Sequence, residues 1–181
     1  MTDGIVPPGY RVYPPKVNMF TEMVGRHAAS DRAEAPAMVW DEGTCTFREL
    51  AAMTDRVAAG LARLGLEPGD ALLLRSPNLP EYAVAALAAW KLGAIAVMSN
   101  SLLRPDELAY VLGNCEARIA AAPAALIEPL LTLKDDGRLD HVVVLDDDTA
   151  EIPGTIAYAD LAEAGATVET ADTDAMQPAF L

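Results

Sequence analysis

The chain has 181 residues, 52% of them hydrophobic and 22% charged, with a formal net charge of −14. That size and balance describe one globular domain and exclude a disordered chain, since a chain of this length buries roughly 70% of its unfolded surface. The acidic excess repels phosphate backbones and anionic lipid, so nucleic acid is not the expected partner and a membrane surface is disfavoured.

Residues 1–17 are rich in proline (Pro7, Pro8, Pro14, Pro15) and are expected to wrap the surface without regular structure. Asp3, Arg11 and Lys16 interrupt them, so a secretory signal is not expected. Asn18 can cap a helix whose Phe20, Met23, Val24 and His27 share one face. Pro36 precedes a short apolar run, Ala37–Trp40. Asp41-Glu42-Gly43 then supplies a turn and Cys45 begins a returning strand, the pattern of a β-hairpin.

Thr46-Phe47-Arg48-Glu49 is a capping box. The threonine oxygen accepts from the third helical amide, and the glutamate reaches back to the cap amide. Behind it Leu50, Val57, Leu61 and Leu64 keep helical spacing until Gly65, which is placed to end the helix in a left-handed conformation. The stretch Leu66–Ala122 then reads strand, turn, helix, glycine stop, strand. Ala71–Leu74 is the first apolar run, Ser76–Glu81 the break, Lys91-Leu92-Gly93 the stop and Ala94–Met98 the second run, which together make a βαβ unit. Ala83–Met98 is the most apolar window, but Lys91 and Gly93 interrupt it and a membrane span needs roughly 20 apolar residues.

After the loop Asn100–Arg104, Pro105-Asp106-Glu107 opens a helix with proline first and acids in the first turn, and Gly113-Asn114 is expected to close it. Arg118–Ala122 reads as a strand, Ala124–Leu133 as a helix and His141–Leu145 as another strand. Asp146–Asp148 and Glu151–Gly154 form an acidic loop. Thr155–Tyr158 is a short extended piece, Tyr158–Ala164 a short helix, Ala171–Gln177 a linker and Pro178–Leu181 the start of a strand. The alternation predicts an α/β fold: a doubly wound, mostly parallel sheet with helices on both faces.

Candidate chemistry is sparse. Gly60–Gly65 has the glycine spacing of a phosphate loop, but Leu66-Glu67 stand where lysine and a hydroxyl belong and the glycines lie on an amphipathic helix. No G-x-G-x-x-G occurs, and Glu81 in the first turn of the helix at Pro80 would repel phosphate. His27 and His141 lack neighbours at metal-ligand spacing, and Asp146-Asp147-Asp148 lacks the glycine and distal glutamate of a calcium loop. Ser76 and Ser101 have no histidine partner at local spacing. Cys45 and Cys115 are far apart with no CxxC, which fits a reducing, cytoplasmic setting. Asn78 and Asn100 follow predicted strand ends, where open α/β sheets bind ligands, and are the candidate substrate-binding residues; turn formation is the reading their residue type favours. No catalytic residue and no metal ligand is assigned.

Read together, Thr46–Leu50, Gly65–Asp70, Ser76–Glu81, Lys91–Ala94, and Asn100–Leu103 with Asp106–Leu108 resemble the amino-terminal part of the adenylate-forming enzymes: acyl- and aryl-CoA ligases, luciferase and peptide-synthetase adenylation domains. The resemblance covers residues 18–181, which it implies are a subdomain of the large amino-terminal domain, preceded by the segment 1–17. It implies a parent enzyme that joins a carboxylic acid to CoA through an acyl-adenylate, using ATP, Mg2+ and CoA. The Asn100–Leu103 segment is similar to benzoate-type ligases. That family's lysine-ended phosphate loop follows a strand resembling Pro178–Leu181, so the segment is expected to be a structural layer, inactive alone, with no cofactor bound tightly. Some CoA ligases also place basic residues on the helix matching Ala124–Leu133, where this chain has only Glu128 before Lys134. Self-association through an exposed interface is expected, and no membrane span. The rival readings are a non-catalytic, ligase-like protein-binding module and a fragment of another adenylation enzyme.

Overall fold

The computed structural model describes residues 14–146, 152–162 and 167–181. The expected Glu151, most of the proline-rich segment, Asp147-Asp148 and the last residues of the Tyr158–Ala164 helix lie outside the described residues.

Asn18 opens the first helical run. Its Oδ1 accepts from the amides of Phe20 (3.0 Å) and Thr21 (3.4 Å), and the chain passes through a π-helical turn, Thr21–Gly25, into α1 (Arg26–Ala28). Phe20 and Val24 are buried as the helical spacing requires, while Met23, assigned to the same face, is 48% exposed. The hairpin follows: β1 (Pro36–Trp40) pairs antiparallel with β2 (Gly43–Thr46). The capping box then starts α2 (Phe47–Arg63), with Glu49 N to Thr46 Oγ1 at 3.2 Å and Thr46 N to Glu49 Oε2 at 2.8 Å. Gly65 takes φ +90° just past its end.

The main sheet comprises β3 (Ala71–Arg75), β4 (Ile95–Ser99), β5 (Ile119–Ala122), β6 (His141–Val144) and β7 (Ile156–Ala157), in the order β4-β3-β5-β6-β7 with every pair parallel. Between them run α3 (Pro80–Lys91), α4 (Pro105–Cys115), α5 (Glu128–Asp135) and, after β7, α6 (Tyr158–Ala162). Alternate strand residues serve opposite faces. Leu72, Leu74, Ile119, Ala121 and Val143 pack with α2, α3 and α6, whereas Leu73, Ala120, Val142 and Val144 pack with α4 and α5. A sheet buried on both faces needs such continuous apolar runs. The segment ending in Leu181 does extend the sheet: Phe180 forms a parallel bridge to Ala96, with Ala96 N to Ala179 O at 2.9 Å and Leu181 N to Ala96 O at 3.1 Å. Among the described residues no helix is long and apolar enough to cross a membrane.

Two expected boundaries move. α4 does not close at Gly113-Asn114; it continues to Cys115, and the left-handed residue is Glu116 (φ +55°). Asn114 instead donates its Nδ2 to Tyr110 O one turn back, at 2.8 Å, which satisfies a carbonyl within the helix. The single helix expected over Ala124–Leu133 is a 3-10 turn, Ala124–Leu126, followed by α5 from Glu128 to Asp135. A helix begun at Ala124 would carry Pro129 in its interior, where its ring clashes with the preceding turn; starting at Glu128 places it in the first turn, where a missing amide costs nothing.

Candidate functional site

Taken in order along the sheet, β3 is first in sequence but second in position, and the chain moves outward from it in both directions. The reversal lies between β3 and β5, and the crevice beyond their carboxyl ends is where such sheets hold ligands. Arg75, the last residue of β3, sits there and is 5% exposed. Its Nη1 donates to Leu126 O at 3.0 Å, and its Nη2 donates to Ser101 O at 2.9 Å and Leu103 O at 2.8 Å. Burial pushes its pKa down.

The two asparagines occupy different surroundings. Asn100 turns its side chain into its own loop, with Oδ1 accepting from Leu102 N at 2.9 Å. Asn78 is exposed in the loop before α3 and borders a groove of about 500 Å³ between the hairpin and α3. Met23, Met38, Trp40, Tyr82 and Met98 line that groove, which is almost wholly apolar. The structure thus places Asn78 at a cavity and Asn100 in a turn, and does not bring them to one site. Burial pushes the Tyr82 hydroxyl pKa up, so its phenol stays neutral over a wider range.

The remaining candidates have structural surroundings. Gly60 lies inside α2, and a Cβ there would meet Leu161 O at 2.7 Å and Leu161 Cα at 2.8 Å, so the glycine admits the backbone of α6 and is not part of a phosphate loop. Each long helix carries an acid in its first turn (Glu49, Glu81, Asp106 with Glu107, Glu128), which opposes phosphate at those ends. Those four helix starts therefore do not favour a phosphate group. His27 lies against the Phe47 ring with centroids 4.8 Å apart, and His141 begins β6. Asp146 Oδ1 accepts from Ala124 N at 2.7 Å, pinning the turn after β5. Ser76 Oγ is buried without a hydrogen-bond partner among the described residues. Burial, reinforced by Glu49, raises the Cys45 thiol pKa, which keeps it an inert core group. No group of three or more His, Cys, Asp or Glu that could hold a metal occurs among the described residues.

Reasoning from sequence passed over Arg75 and the partners of Asn18. The available signal for Arg75 was a charged residue closing a strand that is otherwise entirely apolar. Asn18 Nδ2 donates to Trp90 O (2.7 Å) and Ala171 O (3.1 Å), joining three distant segments that no local pattern links.

Comparison with known proteins adds what the geometry leaves open. The profile of a family described as AMP-binding enzyme matches residues 25–181. The chain is 32% identical over 128 residues to 4-coumarate–CoA ligase 4 of Arabidopsis thaliana, covering 67% of this chain and 22% of that protein. It is 30% identical over 142 residues to 3-hydroxybenzoate–CoA/4-hydroxybenzoate–CoA ligase of Thauera aromatica, covering 78% and 27%. Among solved structures, the anthranilate CoA ligase AuaEII in complex with anthranoyl-AMP superposes with a TM-score of 0.79 at 25% identity, over 91% of this chain and 31% of that one. The chain spans about a quarter of the length of these curated relatives.

Proposed function

The chain belongs to the family of AMP-binding enzymes, and from that membership we propose that it forms the amino-terminal structural layer of an ATP-dependent carboxylic acid–CoA ligase. The parent reaction converts an acid, ATP and CoA to acyl-CoA, AMP and pyrophosphate through an acyl-adenylate, with Mg2+ as the metal. The observation that carries this reading is the agreement of relatives: plant coumarate ligase, bacterial hydroxybenzoate ligase and the anthranilate ligase structure are all acid–CoA ligases by name. Three aromatic acids among those names favour an aryl acid, benzoate-type included, as substrate, with an acyl acid as the alternative. Residues 18–181 form the layer and residues 1–17 lead into it.

Within this layer the residues do not assemble a reactive centre. Step one of adenylation needs amides, hydroxyls and a cation gathered around the leaving phosphates. Here the helix starts carry acids, and Gly60, the one glycine of α2, receives the backbone of α6. The segment alone therefore neither adenylates an acid nor holds ATP or CoA tightly, and what it supplies is the sheet against which a reactive portion packs. The open apolar groove gives it a surface for self-association as an isolated chain.

The test is direct. Purified 1–181, given ATP, Mg2+ and benzoate or a hydroxybenzoate, should release no pyrophosphate above the protein-free control. Release that depends on the acid overturns the structural-layer reading. Coumarate and fatty acids serve as further substrates in the same assay.

A further inference from the structure

At the carboxyl end of β3 a buried guanidinium joins two loops. One side chain, Arg75, reaches the loop after β4 through Ser101 O and Leu103 O and the turn after β5 through Leu126 O. No ion pair among the described residues includes Arg75, and its Nε is buried with no acceptor among them. A buried cation without a carboxylate is expensive, and replacing it by an apolar residue of similar volume would remove that cost. What an apolar residue cannot do is draw three carbonyls from two loops toward one point.

The loop geometry shows the effect of that pull. The carbonyls of Ser101 and Leu103 both turn inward to Nη2, so Leu102 between them is thrown outward and is 85% exposed. Asn100 Oδ1 holds Leu102 N from one side. On the other, Arg104 N donates to Glu107 Oε2 at 2.9 Å at the start of α4. Arg75 supplies the third restraint, the only one of the three that ties this loop to the turn after β5.

We propose that Arg75 is a built-in cation that positions the loops after β4 and β5 as one rigid unit with Leu102 at its crest. This inference goes beyond the ligase reading and does not depend on it, because its test follows backbone amides and is blind to adenylation.

The experiment compares the full chain with Arg75→Ala and Arg75→Lys by residue-resolved amide hydrogen exchange. Arg75→Ala should accelerate exchange at Leu102, Leu103 and Ile127 by on the order of tenfold, while the amides of the β1–β2 hairpin keep their wild-type rates. Methylguanidinium, added below denaturing concentration, should slow those loop amides again in Arg75→Ala and leave the wild type unchanged. Arg75→Lys keeps the charge but loses the planar fork, so its loop amides should fall between the two. Wild-type rates at the loops of Arg75→Ala, or an equal acceleration of loops and hairpin, overturns the positioning role. If Arg75→Ala does not fold, Arg75→Lys decides, and wild-type loop exchange in that variant overturns it. The wild type gives a readout that needs no variant: the Nη protons of Arg75 should be separately resolved and slow to exchange by NMR, whereas a freely rotating, averaged guanidinium signal overturns the clamp.

Discussion

Helix α3 has two very different ends. At its start, Asn78, Pro80, Tyr82 and Ala83 border the apolar groove, and the facing hairpin leaves Val39 75% exposed. At its finish, the last carbonyls are tied to distant parts of the chain. Trp90 O accepts from Asn18 Nδ2, Lys91 O from Ala171 N at 2.9 Å, and Gly93 O from both Gly69 N and Gln177 Nε2 at 2.9 Å. Trp90 Nε1 donates to Ala179 O at 2.6 Å. Beside them Lys91 Nζ lies 2.5 Å from Asp55 Oδ1 and 4.6 Å from the centre of the Phe20 ring. The finish is tied by hydrogen bonds to the described chain and still borders a second cavity, of about 380 Å³, beside Trp90, Gly93 and Phe180, whereas the start has the larger groove and no such ties. Those carbonyls are paired internally, and the surface left uncovered along the helix is mainly hydrophobic.

Trp90 touches both regions, lining the groove and donating at the knot, so its removal should have the largest effect. Trp90→Ala is expected to cost about 3–5 kcal/mol of unfolding free energy, measured by urea denaturation. A cost below that of an ordinary surface substitution would mean that the knot does not depend on the indole. Asn18→Ala tests the polar end alone. It removes the acceptor of the buried Phe20 amide and takes one donor from the Trp90 and Ala171 carbonyls, which keep Gly93 N and Thr173 N, and should cost about 1–3 kcal/mol while leaving the groove unchanged. Gly93→Ala probes the same end sterically, since its φ is +75° and a Cβ would lie 3.0 Å from the Ala171 and Thr173 side chains. It should destabilise the chain and speed proteolysis of the segment 167–177.

The difference between the two ends also explains what could be read in advance. Elements were legible where cause is local. The capping box at Thr46, the stop at Gly65 and the continuous apolar runs of β3 and β5 all act within a few residues. Strand order was not, because alternation identifies a strand without naming its neighbours, and the reversal at β3 only emerges from long-range pairing. The helix-initiating role of Asn18 was legible, but the partners of its Nδ2 lie 72 and 153 residues away. Arg75 was hidden for a related reason: its meaning depends on carbonyls in two loops 26 and 51 residues on. The end of α4 was misjudged because Gly113 and Asn114 resemble a stop signal, whereas the left-handed position fell to Glu116.

A smaller effect separates capping from packing. Thr46→Ala should cost about 1 kcal/mol at neutral pH by removing the acceptor for Glu49 N. The Glu49 carboxyl accepts from the Thr46 amide and hydroxyl, and these bonds hold its pKa below the ordinary glutamate value of about 4.3. A carboxyl lowered in the folded state stabilises above its ordinary pKa and loses that contribution as pH falls through the lowered value. The gap between wild type and Thr46→Ala should therefore narrow, without closing, as pH is lowered below the ordinary glutamate range. A gap that stays constant across that range would show that the threonine oxygen alone carries the cap.

The smallest expected change in stability belongs to the open end, and it is the most informative about function. Met98, at the carboxyl end of β4, is 40% exposed and lines the groove, and Val39 faces solvent on the hairpin. Replacing both with serine removes apolar surface that the folded chain does not bury, so the unfolding free energy should move by no more than about 0.5 kcal/mol for each. Association should respond instead. If the groove is the surface through which isolated chains meet, light scattering should show concentration-dependent self-association in the wild type and a shift toward monomer in Met98→Ser with Val39→Ser. A wild type that stays monomeric at high concentration, or a double variant that associates as before, would remove the groove from that role. Stability and association are thus expected to respond to different residues along one helix, the first to the hydrogen bonds tying its finish and the second to the groove that begins at its start.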